Sequence, residues 1–99
     1  MAKFLIEVPH EAEPSACAKA VKVFLDTGSH FLTNAEWGCR DGEHKAWLML
    51  DLASKEEARS ILPPGFRSRA RVVQLNRFSM AEIDQMLLDH QGSKGAQGR

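Results

Sequence analysis

Residues 34–51 read NAEWGCRDGEHKAWLMLD, and the dipeptide Asp41-Gly42 lies between two segments rich in apolar and aromatic residues. Asp-Gly supplies the two positive-φ positions of a type I′ turn, so this stretch predicts a β-hairpin with a two-residue loop. That loop fixes the register, and the predicted opposed pairs are Cys39 and His44, Trp37 and Ala46, Glu36 and Trp47, and Asn34 and Met49. Opposed residues share one face of a sheet, so the two tryptophans are predicted to lie on opposite faces.

Further elements are predicted on both sides of the hairpin. Pro14 suits the first turn of a helix, and Ser54 with Glu57 and Ser79 with Glu82 form capping boxes that open two more helices. The predicted strands span residues 4–9, 30–40, 43–52 and 71–77. The predicted helices run from 14 to a stop at 28, from 54 to the prolines at 63 and 64, and from 79 to about 90. This order predicts an α+β fold of ferredoxin-like type, β-α-β-β-α-β, with a four-stranded antiparallel sheet, two helices on one face and a C-terminal helix.

The chain is predicted to contain one domain and a tail. Ninety-nine residues suffice for a single hydrophobic core, and residues 1–90 are expected to form one ferredoxin-like α/β-barrel domain. Residues 91–99 hold only Gly, Ser, Lys, Gln, Ala and Arg, with no large apolar side chain. They are therefore predicted to be a disordered C-terminal tail.

The strand alternation assigns side chains to two faces of the sheet. One face is predicted to pack against the helices through Phe4, Ile6, Val8, Phe31, Ala35, Trp37, Ala46, Leu48, Leu50, Val73 and Leu75. The other is predicted to carry Leu5, Glu7, Leu32, Asn34, Glu36, Trp47, Met49, Val72, Gln74 and Asn76. A face this apolar is unfavourable in open solvent. We therefore expect two copies to pair through it as a homodimer, with the polar side chains lining an enclosed cavity.

The layout resembles that of a known superfamily. The opening Phe4-Leu5-Ile6-Glu7, the Asp-Gly hairpin and the short helix that ends in Pro63-Pro64-Gly65-Phe66 are similar to the dimeric α/β-barrel superfamily, over roughly residues 3–78. Its small members include muconolactone isomerases, cofactor-independent monooxygenases and small bacterial nickel-binding dimers. The resemblance implies a dimeric α/β barrel, and it matches no catalytic motif residue by residue.

The leading functional hypothesis is a site on the open face that binds a small polar organic ligand. Glu7 and Glu36 are the candidate catalytic carboxylates, because an enclosed carboxylate can act as a proton acceptor. The candidate ligand-binding residues are Asn34, Trp47, Met49, Gln74 and Asn76. No cofactor is required, and isomerase or oxygenase-like chemistry is possible. The alternative is that these polar groups form a structural seam between subunits, and that the protein is an interaction module without a site.

A second hypothesis is a transition-metal site. Histidine, cysteine and carboxylate side chains bind nickel or zinc, and the predicted metal ligands are His30, Cys39 and His44. No spacing in the chain reproduces a known metal motif. The opposed pair Cys39 and His44 could also form an activated thiolate, although their place beside a turn favours simple packing.

The composition argues against several kinds of partner. Lysine plus arginine and aspartate plus glutamate are balanced at 13 each, so no net field attracts nucleic acid or an anionic membrane. No apolar stretch approaches the roughly 20 residues of a membrane span, and the N-terminus lacks a signal-peptide pattern. A cytoplasmic protein is therefore expected, with Cys17 and Cys39 as reduced thiols.

Overall fold

The first strand is central to an antiparallel sheet in the order β2-β3-β1-β4. The computed structural model describes residues 1–92 of this α+β protein. Its strands are β1 (Ala2–Pro9), β2 (Glu36–Trp37), β3 (Lys45–Leu52) and β4 (Arg71–Leu75). The helices of the described part are α1 (Pro14–Asp26), α2 (Lys55–Ser60), α3 (Pro64–Arg67) and α4 (Met80–Gly92). Two short 3₁₀ turns, Leu32–Asn34 and Cys39–Asp41, flank β2.

The hydrophobic core lies between one face of the sheet and the helices α1 and α2. Even-numbered residues of β1 and β3 enter it, because successive side chains of a strand point to opposite faces. The buried members are Phe4, Ile6, Val8, Phe24, Leu32, Ala46, Leu48, Leu52, Ala58, Leu62, Ala70 and Val72. Trp37 packs against this cluster, with its ring centroid 5.0 Å from that of Phe24 on α1. The predicted inward position of Trp37 is confirmed.

Two of the four predicted hairpin pairs are confirmed, and the predicted turn is wrong. Asn34 and Cys39 lie in 3₁₀ turns outside the ladder, so their predicted pairings with Met49 and His44 do not form. Glu36 lies opposite Trp47, and Trp37 lies opposite Ala46. Strand β2 nevertheless ends at Trp37, and the carbonyl oxygen of Gly38 accepts hydrogen bonds from the backbone N–H groups of Asp41 and Glu43, at 2.9 and 3.0 Å. This one acceptor closes a wider loop, in which Gly42 takes a φ of 81° as the cap of a 3₁₀ turn. Asp41 lies inside that turn, so no type I′ turn forms.

Residues 30–35 were predicted to begin the second strand, and this prediction is wrong. The Asn34 side-chain amide donates to the carbonyl oxygen of His30 at 2.6 Å, and the Thr33 hydroxyl donates to the same oxygen at 3.3 Å. Such local side-chain bonds compete with strand pairing and favour a turn. The turn directs Leu32 into the core, where it is 2% exposed, and leaves Phe31 on the surface. Leu32 was predicted on the open face and Phe31 on the helix-facing side, so both of these assignments are wrong.

The predicted faces of β4 are inverted. Val72 lies opposite Ile6 and is buried, and Gln74 lies opposite Phe4, so both are on the helix-facing side of the sheet. Val73 lies opposite Leu5 on the other face. The physical reason lies before the strand, where the Arg59 guanidinium donates to the carbonyl oxygens of Arg67 and Ala70, at 2.6 and 2.9 Å. This contact fixes how β4 enters the sheet with Ala70 buried.

Helix α4 begins with the predicted capping box. The Ser79 hydroxyl accepts from the Glu82 N–H at 3.1 Å, and the Glu82 carboxylate accepts from the Ser79 N–H at 3.0 Å. The helix continues to Gly92, past the predicted end near His90, and most of its side chains are exposed. Residues 93–99 of the predicted tail lie outside the described residues. None of the helices within residues 1–92 combines the length and hydropathy that crossing a lipid bilayer requires.

Candidate metal centre

One end of the sheet brings two histidines and a cysteine into a row. The ladder between β1 and β3 ends with Pro9 opposite Lys45, and one step further the His10 N–H donates to the carbonyl oxygen of His44 at 3.0 Å. Cys39 begins the 3₁₀ turn after β2, and its side chain lies in a cluster with those of His10 and His44. His10 follows the inward alternation of β1 and is 9% exposed. The row therefore lies on the helix-facing side of the sheet.

The side chains of this row converge on a common point. One ring nitrogen each of His10 and His44 and the Sγ atom of Cys39 all lie within 4.8 Å of one another. The His10 Nε2 atom is 3.1 Å from Cys39 Sγ. The Nδ1 atom of His44 is buried and has no hydrogen-bond partner. Buried polar atoms almost always have a partner, so this nitrogen calls for one that the protein itself does not supply.

A backbone contact orients the His10 ring. Its Nδ1 atom is 2.8 Å from the carbonyl oxygen of Glu11, which can only accept, so Nδ1 carries the proton of the neutral ring. Nε2 is then left as a lone-pair acceptor that faces the Cys39 thiol. Histidines that bind metals commonly donate their second N–H to a backbone carbonyl in this way, because the contact fixes both tautomer and ring orientation.

The pKa of the Cys39 thiol lies above its ordinary value. Burial raises this pKa, and the interactions with the Cys17 thiol raise it further. Highly reactive thiols have lowered pKa values, because the thiolate is the nucleophile. The direction of the shift therefore does not support an activated thiolate, and the geometry favours Cys39 as a ligand.

His30, the third predicted metal ligand, lies elsewhere. It is exposed beside Phe31, with ring centroids 6.2 Å apart, and the structure brings His10 to Cys39 and His44 instead. His10, one of the four histidines of the chain, was left out of the predicted ligand set because its place depends on the pairing of β1 with β3. The available signal was its position two residues after Val8, which continues the inward alternation of the first strand.

The open face of the sheet carries the two predicted catalytic carboxylates in a different arrangement. Glu7, Trp47 and Glu36 form a row across β1, β3 and β2, with the indole between the two carboxylates. Two strand spacings separate the carboxylates by about 9–10 Å between Cα atoms. The Glu7 Oε1 atom also pairs with Lys45 Nζ at 3.3 Å, whereas Glu36 is exposed.

The predicted ligand-binding residues do not converge on one site. Trp47 and Met49 lie on the open face, but Asn34 belongs to the turn before β2 and Gln74 lies on the helix-facing side. Asn76 follows β4 and lines a surface groove of about 520 Å³ together with Met49. The open face of the single chain thus offers a groove at one end and a separate carboxylate row.

Comparisons with known proteins add no assignment. No protein-family model, curated protein or solved structure matches the chain. The resemblance to the dimeric α/β-barrel superfamily stays a prediction. Any function must therefore be argued from the side chains themselves.

The row of His10, Cys39 and His44 offers two imidazole nitrogens and one sulfur to an ion. Zinc bonds of about 2.0–2.1 Å to nitrogen and 2.3 Å to sulfur place tetrahedral ligand atoms roughly 3.3–3.7 Å apart. The three ligand atoms lie within 4.8 Å of one another, which is somewhat wider than this range. Small rotations of the side chains would complete the geometry, so this row is the strongest candidate functional site in residues 1–92.

Proposed function

We propose that this protein binds a divalent transition-metal ion of the zinc or nickel class through His10, Cys39 and His44. Two observations carry the proposal: the His44 side chain clusters with those of His10 and Cys39, and the His44 ring has a buried Nδ1 atom without a hydrogen-bond partner. A metal ion is the partner that suits a nitrogen and a sulfur together. Two imidazoles with one thiolate are typical ligands of zinc and of other borderline-soft ions.

The chemistry of the ligands defines what such an ion could do. Three protein ligands leave a fourth tetrahedral position for water or a small molecule, as in catalytic zinc sites. Metal binding displaces the Cys39 thiol proton, so binding releases a proton and weakens as the pH falls. The contact between His10 and the Glu11 carbonyl oxygen holds one ligand in place before the ion arrives.

Zinc should bind the reduced wild-type chain at one ion per chain. Cys39→Ser should weaken binding by about 100-fold or more, because it removes a direct ligand and loss of an outer-shell partner alone already costs about 10–100-fold. Competition against a chromophoric chelator measures the affinity, and cobalt(II) should show a thiolate-to-metal charge-transfer band that Cys39→Ser abolishes. Cys17→Ser is the matched control, because it removes the other thiol and should retain both signals. Substoichiometric binding, or equal affinity of wild type and Cys39→Ser, would disprove the site.

A second candidate function is self-association through the open face. The chain order and the strand order β2-β3-β1-β4 support the ferredoxin-like assignment, in which one sheet face has no helices over it. On that face Met49 is 58% exposed, and Leu5, Val73 and Leu75 are only half covered. Burying such side chains stabilises an interface by about 25 cal/mol per Å² of apolar surface. We infer a homodimer that buries these residues.

The homodimer should have twice the 11.0 kDa chain mass in light scattering at micromolar concentration. Met49→Lys should shift the mass towards the monomer, because it places a charge in the buried interface. Leu25→Lys makes the same kind of change on the exposed outer side of α1 and should leave the mass unchanged. A wild-type monomer, or equal dissociation by both variants, would contradict the interface.

Binding of a small organic ligand to the open face is a further hypothesis, although the residues predicted for it do not converge on one site in the single chain. Glu7 and Glu36 stay the candidate proton acceptors for that hypothesis, and cofactor-free chemistry there stays a prediction. A second copy on the open face would enclose the row of Glu7, Trp47 and Glu36. The metal proposal has the stronger support because its side chains already converge.

A further inference from the structure

We propose that Cys17 and Cys39 form a redox-sensitive dithiol, and that a disulfide between them removes Cys39 from the metal site. The loss of the metal ligand rests on the proposed function, since a metal can be released only if one binds. The disulfide itself does not, because it is argued from the placement of the two thiols. The co-reactant is a peroxide.

The two cysteines come from separate elements and face the same groove. Cys17 lies on α1, and Cys39 begins the 3₁₀ turn after β2. Together with Val21, Trp37 and Arg40 they line a groove of about 410 Å³ that is open to the surface. Both are free thiols and both are partly buried. A small oxidant can therefore reach both thiols from the same groove.

Cys39 lies between the candidate metal site and the groove that it shares with Cys17. Its Sγ atom is 3.1 Å from His10 Nε2, and the residue also lines the groove together with Cys17. Cys17 does not belong to the cluster of three potential ligands. The Cys39 sulfur can form a metal–thiolate bond or a disulfide bond, but a disulfide sulfur carries no thiolate charge and is a poor ligand. The two states of Cys39 therefore exclude each other.

The oxidation is balanced with one peroxide molecule. One thiolate attacks a peroxide oxygen, the O–O bond breaks, and a sulfenic acid and one water form. The second thiol attacks the sulfenic sulfur, the S–S bond forms, and its oxygen leaves as a second water. Two thiols lose two electrons and two protons, and the peroxide is reduced to two waters. Reductants of the thiol or phosphine class reverse the reaction.

The test uses the full, metal-free chain treated with hydrogen peroxide and then freed of oxidant. Intact mass should fall by two hydrogens, and non-reducing peptide mapping should join the peptides that contain Cys17 and Cys39. Cys17→Ser lacks one of the two sulfurs and should show neither the loss of two hydrogens nor the joined peptides. Oxygen adducts alone on the wild type, or only disulfides between chains, would overturn the proposal.

Zinc affinity is then compared before oxidation, after oxidation and after reduction with a phosphine. The oxidised wild type should bind at least about 100-fold more weakly, like a chain that lacks the Cys39 ligand, and reduction should restore binding. Unchanged affinity in the disulfide form would overturn the coupling. If the reduced chain binds no zinc but forms the disulfide, the metal proposal fails, and so does the proposed release of the metal on oxidation. If it binds zinc but forms no disulfide, only the redox inference fails.

Discussion

His10→Ala should abolish tight zinc binding, whereas His30→Ala should leave it unchanged. The His10 Nε2 atom is 3.1 Å from the Cys39 sulfur, and His30 is exposed on the turn before β2. Loss of a direct ligand is expected to exceed the roughly 10–100-fold loss that follows removal of an outer-shell partner. Each variant removes one imidazole, so a difference between their zinc affinities shows which of the two positions binds the ion.

The same chelator competition measures both affinities, and circular dichroism checks that each variant is folded. The backbone N–H of residue 10 and its bond to the His44 carbonyl oxygen remain in His10→Ala, so the sheet end is expected to persist. His44→Ala provides a second removal of a ligand from the same row. Zinc binding that survives in both His10→Ala and His44→Ala, or that disappears in His30→Ala, would rule out the proposed ligand set.

Phe24→Ala should lower the free energy of unfolding by about 3–5 kcal/mol. Phe24 is 1% exposed, and its ring makes edge-on contacts with Trp37 and Phe66, at centroid distances of 5.0 and 5.5 Å. The truncation therefore leaves a cavity between α1, β2 and α3. Because small domains are stable by only about 5–15 kcal/mol, this variant is expected to be close to unfolding.

Urea unfolding followed by circular dichroism gives the free energy for each variant. Leu25→Ala is the control, since Leu25 is the next residue of the same helix and is 52% exposed. A surface substitution of this kind should change stability by only about 0.5 kcal/mol. Similar losses for Phe24→Ala and Leu25→Ala would mean that α1 does not pack on the sheet through Phe24.

Local signals in the sequence predicted the parts of the fold that short-range chemistry controls. The predicted serine caps form at Ser54 and Ser79, whose hydroxyls accept from the Glu57 and Glu82 N–H groups at 3.1 Å. The box is complete only at Ser79, because the Glu57 carboxylate accepts from the Ala53 N–H instead. The hairpin register was also recoverable, because the segments on either side of Asp41-Gly42 pair across a short loop. The turn itself was not, since the Gly38 carbonyl oxygen outcompetes the type I′ geometry for the loop N–H groups.

Long-range contacts decided what the sequence could not predict. Val72 and Val73 are both apolar, so alternation alone could not show which of them points inward. A hydrogen bond from the Arg59 guanidinium to the Ala70 carbonyl oxygen holds the chain just before β4 and favours the observed orientation. The candidate site likewise has a part set by short-range pairing and a part set by long-range pairing. Cys39 and His44 were recoverable as neighbours across the hairpin, whereas His10 joins them through the pairing of β1 with β3.

Because β2 is so short, an ion bound to His10, Cys39 and His44 would affect the stability of this edge of the sheet. Two residues attach this edge strand to the sheet, so it is expected to open at a lower free energy than the long pair of β1 and β3. An ion held by the row would cross-link the hairpin end to the central strand. Occupancy of the site would then determine how often β2 detaches, and metal content would be measurable as amide exchange at Gly38, whose N–H donates to the Lys45 carbonyl oxygen.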